Sequence, residues 1–242
     1  MPMQRSIWIG FDPREASAFA VARSSIAKHL TQKIPIRGVV LDRLIKSGLY
    51  RRPTELRKSA VDRPVLYDVI SDHPMATQHA NARFLVPYLA KNGWAAFVDG
   101  DVLVRGNFAR LFEGLNSEKA LYCVKHDYAP AEGLKMDGQR QSQYARKNWS
   151  SVMIFNCEHE ANQALTLDVV NTARGRDLHA FFWLNDDQIG ALPEEWNWLV
   201  RHSSKEIEPK LVHFTEGCPD MPGYEKDPFA DEWREELTRW AA

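Results

Sequence analysis

Cysteine is scarce in this chain of 242 residues: Cys123, Cys157 and Cys218 make an odd number, with no CxxC pair and no Cys/His cluster. Neither a disulfide framework nor a zinc module is expected from such a count. Long hydrophobic runs are missing as well. No stretch approaches the roughly 20 apolar residues of a membrane-spanning helix. The opening MPMQRSIWIGFDPRE meets charges too early to serve as a secretory signal. The expectation is a cytoplasmic protein, at most peripheral to a membrane. An excess of one charge is also lacking, since 31 Lys+Arg against 32 Asp+Glu leave a net charge of -1. Such balance argues against a general nucleic-acid binder. What is present, 44% hydrophobic and 26% charged residues, is ordinary for a globular chain. The length fits a single domain over 1–242.

Short apolar runs alternate with amphipathic stretches. SIWIGF (6–11), IRGVVLD (36–42), WAAFVDGD (94–101), ALYCVKH (120–126), SVMIFNC (151–157), WNWLV (196–200) and KLVHF (210–214) read as strands. Helices are expected over 15–30, over 79–91 with Pro87 bending the run, over 108–115 and 160–173, from 186 onward, and in an amphipathic tail at about 229–241. This alternation predicts an α/β fold with a sheet covered on both faces, where ligands sit at the carboxyl ends of the strands. Residues 43–63 carry seven Lys/Arg against Glu55 and Asp62. They read as a basic insertion, about 43–75, that is either a solvated surface or a phosphate- or acceptor-facing patch.

The chemistry concentrates in Phe97-Val98-Asp99-Gly100-Asp101-Val102-Leu103-Val104. Two carboxylates one residue apart end a strand that should be buried, and buried carboxylates cost several kcal/mol each unless compensated (about 2–7 for an unpaired polar group). They must therefore emerge at the strand end or meet cations. Carboxylate oxygens suit hard ions such as Mn²⁺ or Mg²⁺, and Gly100 permits close approach. The bland alternative is a simple Asp-Gly turn. Two reactions use such a pair: metal-dependent group transfer from a nucleoside diphosphate, and phosphoryl transfer to an aspartyl nucleophile.

The run from Asn81-Ala82-Arg83-Phe84-Leu85 to Asp99-Gly100-Asp101 resembles the family-8-type glycosyltransferases of the GT-A fold, a Rossmann-like mixed sheet with helices on both faces. Further segments follow in that family's order: Asn185-Asp186-Asp187-Gln188, Leu192-Pro193, Trp196-Asn197, and Val212-His213-Phe214-Thr215-Glu216-Gly217, with Ile9-Gly10-Phe11-Asp12 at the front. The resemblance implies a hexosyl transfer from a nucleotide sugar, UDP-linked, to a glycan, lipid-linked or protein acceptor, with retention of configuration. It implies that Asp99, Asp101 and His213 hold Mn²⁺ or Mg²⁺. Phe11, Asp12, Gly100 and Gly217 would line the donor site, Arg83 would touch the donor sugar or diphosphate, and Asp187 and Gln188 would sit near the anomeric carbon. Gly217, Pro219, Pro222 and Gly223 suggest a mobile loop closing on ligand. Acceptor contacts are expected from 43–75 and 127–148.

The chain departs from the family at two places. Asn148-Trp149-Ser150-Ser151 stands where an Asn-Ala-Gly or Asn-Ser-Gly is usual, and Cys218-Pro219-Asp220 where Lys-Pro-Trp is usual. The diphosphate thus loses a lysine, for which Lys226 or a base from 43–63 could substitute. Two other readings stay open: a haloacid-dehalogenase-like phosphatase with Asp99 as nucleophile and Asp101 as acid, and a nucleotide-sugar-binding module without turnover.

Overall fold

The computed structural model describes residues 3–58, 64–127, 146 and 148–241. The chain starts with β1 (Arg5–Phe11), α1 (Ala16–His29), β2 (Ile36–Val40) and α2 (Leu41–Lys46). The basic insertion follows as β3 (Thr54–Lys58), β4 (Pro64–Asp68) and β5 (His73–Pro74). Next come α3 (Val86–Ala90), β6 (Trp94–Val98), β7 (Val102–Val104), β8 (Leu121–Cys123) and β9 (Val152–Asn156). The remaining elements are α4 (Glu160–Gln163), α5 (Leu167–Thr172), α6 (Gly175–His179), β10 (Ile189–Ala191), β11 (Trp198–Leu199), β12 (Leu211–His213) and α7 (Ala230–Ala241).

Among the described residues the strands form a six-stranded sheet in the order β10-β8-β9-β6-β1-β2 and two three-stranded sheets, β11-β12-β7 and β3-β4-β5. The large sheet is mixed: β9 runs antiparallel to β6 and β8, while β1 runs parallel to both β2 and β6. Every residue of β6 and β9 is buried. Their side chains divide by parity. Ala95, Phe97, Met153 and Phe155 join one apolar cluster. Trp94, Ala96, Val98, Val152 and Ile154 join another with Ala22 and Ile26 of α1. A strand apolar on both sides must be covered on both sides, which gives the layered α/β architecture expected of the sequence. A third cluster lies between α1, the small sheet of β7, β11 and β12, and Trp233 of α7.

Several elements differ from the expectations. Over 79–91 the chain makes a 3₁₀ turn at Ala82–Leu85 before α3. Pro87 sits in the first turn of α3, where its missing N–H costs nothing, and so starts that helix instead of bending it. Residues 160–173 split into α4 and α5, the latter capped by Thr166. Residues 186–192 are not the start of a helix. A capping box between Asn185 and Gln188 closes one 3₁₀ turn, and Ile189–Ala191 then adds to the sheet edge beside β8. Gly190 permits this, because a Cβ there would lie 2.2 Å from the Tyr122 ring.

The basic insertion docks through one buried ion pair. Arg52 donates to Asp68 through Nε (3.1 Å) and Nη2 (2.5 Å), and its Nη1 donates to the carbonyls of Val170 and Ala173 in the α5 segment. The two side chains are 0% and 2% exposed. Arg51 pairs with Asp168, and Arg57 with Glu55. These three bases meet acids of the protein itself; residues 59–63 lie outside the described residues. Breaking the buried pair from one side strands a charge. Arg52→Met is therefore expected to lower unfolding free energy by about 3–5 kcal/mol, with Arg52→Met/Asp68→Leu recovering much of the loss, both measured by urea denaturation.

Candidate functional site

β6 delivers Asp99 to the carboxyl end of the sheet. Its backbone N–H donates to the Ser151 carbonyl at 2.9 Å. Its Oδ1 lies 2.8 Å from Arg83 Nη2 and 3.0 Å from His79 Nε2, and its Oδ2 accepts from Arg83 Nη1 at 3.2 Å. Burial raises the proton affinity of Asp99, but Arg83 and His79 outweigh it and hold the carboxyl well below its ordinary pKa. Arg83 itself is pinned. Its Nε donates to Ala80 O and its Nη1 to Ser150 O, and the guanidinium lies 4.9 Å over the Phe97 ring. At 6% exposure it holds Asp99 in place.

Two glycines let this happen. A Cβ on Gly100 would lie 2.6 Å from the Gly10 carbonyl oxygen, and one on Gly10 would lie 2.4 Å from the His79 ring. His79, absent from the sequence reading, is thus wedged beneath Gly10 and against Asp99, with its Nδ1 buried and unpartnered among the described residues.

Asp101 and His213 come from the turn into β7 and from the end of β12, which pair antiparallel. Phe214 N–H donates to the Asp101 carbonyl at 3.0 Å, which brings the two residues together. Asp99, Asp101 and His213 offer ligand atoms within 4.8 Å of one another. The ring of His213 is oriented by a chain of hydrogen bonds. Ser151 Oγ–H donates to Asn148 O at 2.8 Å, so that oxygen must accept from Asn197 Nδ2, also at 2.8 Å. The amide is thereby fixed, and its Oδ1 faces His213 Nδ1 at 2.9 Å. Nδ1 must carry the proton, leaving the lone pair of the neutral ring on Nε2.

That Nε2 lies 3.2 Å from Asp101 Oδ1, an oxygen that is buried and makes no hydrogen bond among the described residues. Two facing acceptors need a cation or a proton between them. The donor set, two hard carboxylates and an imidazole, fits Mn²⁺ or Mg²⁺. Without the ion, burial would lower the pKa of His213, but Asp101 outweighs burial and raises it.

The other expected residues are less concentrated. Phe11 ends β1 and packs edge-on to Phe19 at 5.1 Å. Asp12 is 1% exposed; its carboxylate accepts from Arg14 and from the Gln78 N–H, and despite burial its pKa is lowered, chiefly by Arg14. Glu15, also missed, has its pKa pushed up to about 8 by burial and by Asp101 and Asp12.

A Cβ on Gly217 would strike the Tyr224 ring at 2.5 Å. In the segment expected to move, Arg201 stacks on Tyr224 and donates to Asp227 and Gly223 O. Asp187 and Gln188 are not brought to the cluster. Gln188 Oε1 accepts from Asn185 N–H. Through the pairs Ile189↔Leu121, Leu121↔Phe155 and Ala95↔Phe155, Gln188 lies three strands from β6 and at its opposite end. Strand spacing and rise put it roughly 20 Å from Asp99. The loop 127–148 lies largely outside the described residues.

Asn197 holds the tautomer of a metal ligand, so Asn197→Ala is expected to weaken Mn²⁺ binding by about 10- to 100-fold, measured by calorimetry. In the unsubstituted protein Mn²⁺ affinity should rise with pH, because the ion displaces the proton that Asp101 stabilises on His213, and should level off once that proton is lost.

No protein-family model matches the chain. Protein CDI of Arabidopsis thaliana is 37% identical over 240 residues, covering 97% of this chain and 86% of that protein. Among solved structures, the WbbM bifunctional glycosyltransferase superposes with a TM-score of 0.62 at 15% identity; it covers 98% of this chain, which spans only 50% of that one. The galactosyltransferase LgtC, in complex with donor and acceptor sugar analogues, superposes with a TM-score of 0.57 at 14% identity, covering 97% of this chain and 95% of that one. The mixed sheet is thus that of the GT-A glycosyltransferases, and the chain belongs to the family of Protein CDI.

Proposed function

We propose that this chain is a divalent-metal-dependent glycosyltransferase of the family-8 type, moving a hexose from a UDP-sugar to a glycan, lipid-linked or protein acceptor with retention of configuration. The observation that carries the reading is the convergence of Asp99, Asp101 and His213, with a bare Asp101 oxygen facing the imidazole Nε2. Bound there, Mn²⁺ or Mg²⁺ would neutralise the charge that grows on a departing diphosphate. The protein's part is orientation: Arg83 and His79 hold Asp99, and Asn197 holds His213. The donor class is supported by the likeness to LgtC, and the stereochemistry by the family resemblance of the motifs. No step is assigned to Asp187 or Gln188.

The phosphatase alternative fares worse. Both oxygens of Asp99 are engaged by Arg83, a poor state for a nucleophile, and the sheet matches glycosyltransferases.

With Mn²⁺ the protein is expected to hydrolyse a UDP-hexose slowly to UDP and free sugar, and to release no phosphate from an aryl phosphate, as read by chromatography of products. Asp101→Ala should lose Mn²⁺-dependent UDP binding. Wild-type affinity in that variant counts against the assignment, and phosphate release favours the phosphatase. Tight Mn²⁺-dependent UDP binding without turnover leaves a binding module.

A further inference from the structure

The cations around the metal cluster are nearly all committed. Arg83 is held by Asp99, Arg14 by Asp12, Arg146 by Asp186 and Arg201 by Asp227. Lys125 differs. It is exposed and meets no carboxylate within ion-pair distance among the described residues; its Nζ lies 5.6 Å from the centre of the Trp149 ring. Trp149 is in turn fixed by donating Nε1–H to the His126 carbonyl at 2.9 Å.

Contacts set Lys125 beside the site. Trp149, over which its ammonium lies, is followed by Ser150, whose carbonyl accepts from the Arg83 that holds Asp99. Successive residues face opposite sides of a strand. Cys123 belongs to the cluster on the Phe97 side, and Val124 to the one on the Val98 side. Past Cys123 the strand ends and the chain turns, His126 N–H donating to the Val124 carbonyl at 3.2 Å, which leaves Lys125 against Trp149 and His126 against Asn197, the partner of His213.

His126 is tied to the same hydrogen-bond chain. Asn197 Nδ2, its identity already fixed by Ser151, lies 3.0 Å from His126 Nε2. That nitrogen must accept, so the ring carries its proton on Nδ1, for which no acceptor exists among the described residues. Burial lowers the pKa of His126 to about 4, consistent with a neutral ring.

We infer that Lys125 and His126, at the end of β8, form an oxyanion subsite for the donor's diphosphate, with the ammonium and the Nδ1–H each meeting a phosphate oxygen. Neither residue belongs to the motifs that carried the sequence reading. The subsite supplies the basic contact that the missing lysine after Gly217 would have given, and it rests on the proposed donor class.

The test is calorimetric titration of UDP into the full chain at saturating Mn²⁺, beside titration of Mn²⁺ alone. Lys125→Met is expected to weaken UDP binding about tenfold or more and to flatten its dependence on ionic strength, with Mn²⁺ affinity unchanged. His126→Leu should also weaken UDP, and His126→Gln, which keeps a side-chain donor, should restore part of the loss. UDP affinity and salt dependence in Lys125→Met equal to wild type overturn the subsite while leaving the donor class intact. Loss of Mn²⁺ affinity in Lys125→Met overturns it too, because the lysine would then be supporting the cluster itself. Absence of Mn²⁺-dependent UDP binding in the unsubstituted protein overturns the donor class and the subsite with it.

Discussion

An ionised carboxylate at the end of a fully buried strand needs a fixed countercharge, and Arg83 supplies it to Asp99. Arg83 reaches Asp99 from the 3₁₀ turn before α3, braced by the carbonyls of Ala80 and Ser150. This bracing joins three elements at one point: the turn carrying Arg83, β6, and the entrance to β9. The two close glycine contacts, Gly10 against His79 and Gly100 against Gly10, then bring β1 into the same knot. Local backbone choice and electrostatic requirement agree here, which is the consistency expected where a site is built on rigid elements.

A second order governs His213. Its orientation follows from a serine three residues beyond an asparagine carbonyl, through an amide that is 0% exposed. Each link has one free choice of proton position, and each choice is removed by the link before it. The result is a lone pair aimed at a carboxylate oxygen that has no other partner among the described residues. An imidazole ligand commonly relies on such outer support. Here one amide serves two rings, since Asn197 also reaches His126.

The fold was legible in the sequence because β6 and β9 read as unbroken apolar runs and α1 as an Ala-rich helix. The Asp99/Asp101/His213 convergence was legible through the resemblance, and the geometry agrees with it. What escaped was whatever depends on cross-strand neighbours. Gln188 looks like a catalytic amide by motif, yet sheet order carries it to the far end. Asp12 and Arg83 find partners, Gln78 and Asp99, that lie 66 and 16 residues away in the chain. His79 and His126 bear no local signal, and Asn197, though part of the Trp196-Asn197 segment, had no role attached to it: each gains its role only from what the fold sets against it. Lys125 was likewise invisible, because only the fold sets it against Trp149, next to the segment that braces Arg83.

The Asp99-Gly100-Asp101 turn leaves the six-stranded sheet at β6 and enters the three-stranded sheet at β7, and His213 belongs to the smaller one. An ion gripped by all three residues would act as a rivet through two plates. Drawn tight, it would lock the smaller plate, with α7 behind it, to the larger; withdrawn, it would leave their alignment to apolar packing and to hydrogen bonds such as those of Asn197 to Ser151 and Val104 to Ser25. The strength of that joint then depends on how much of the ion the compartment supplies.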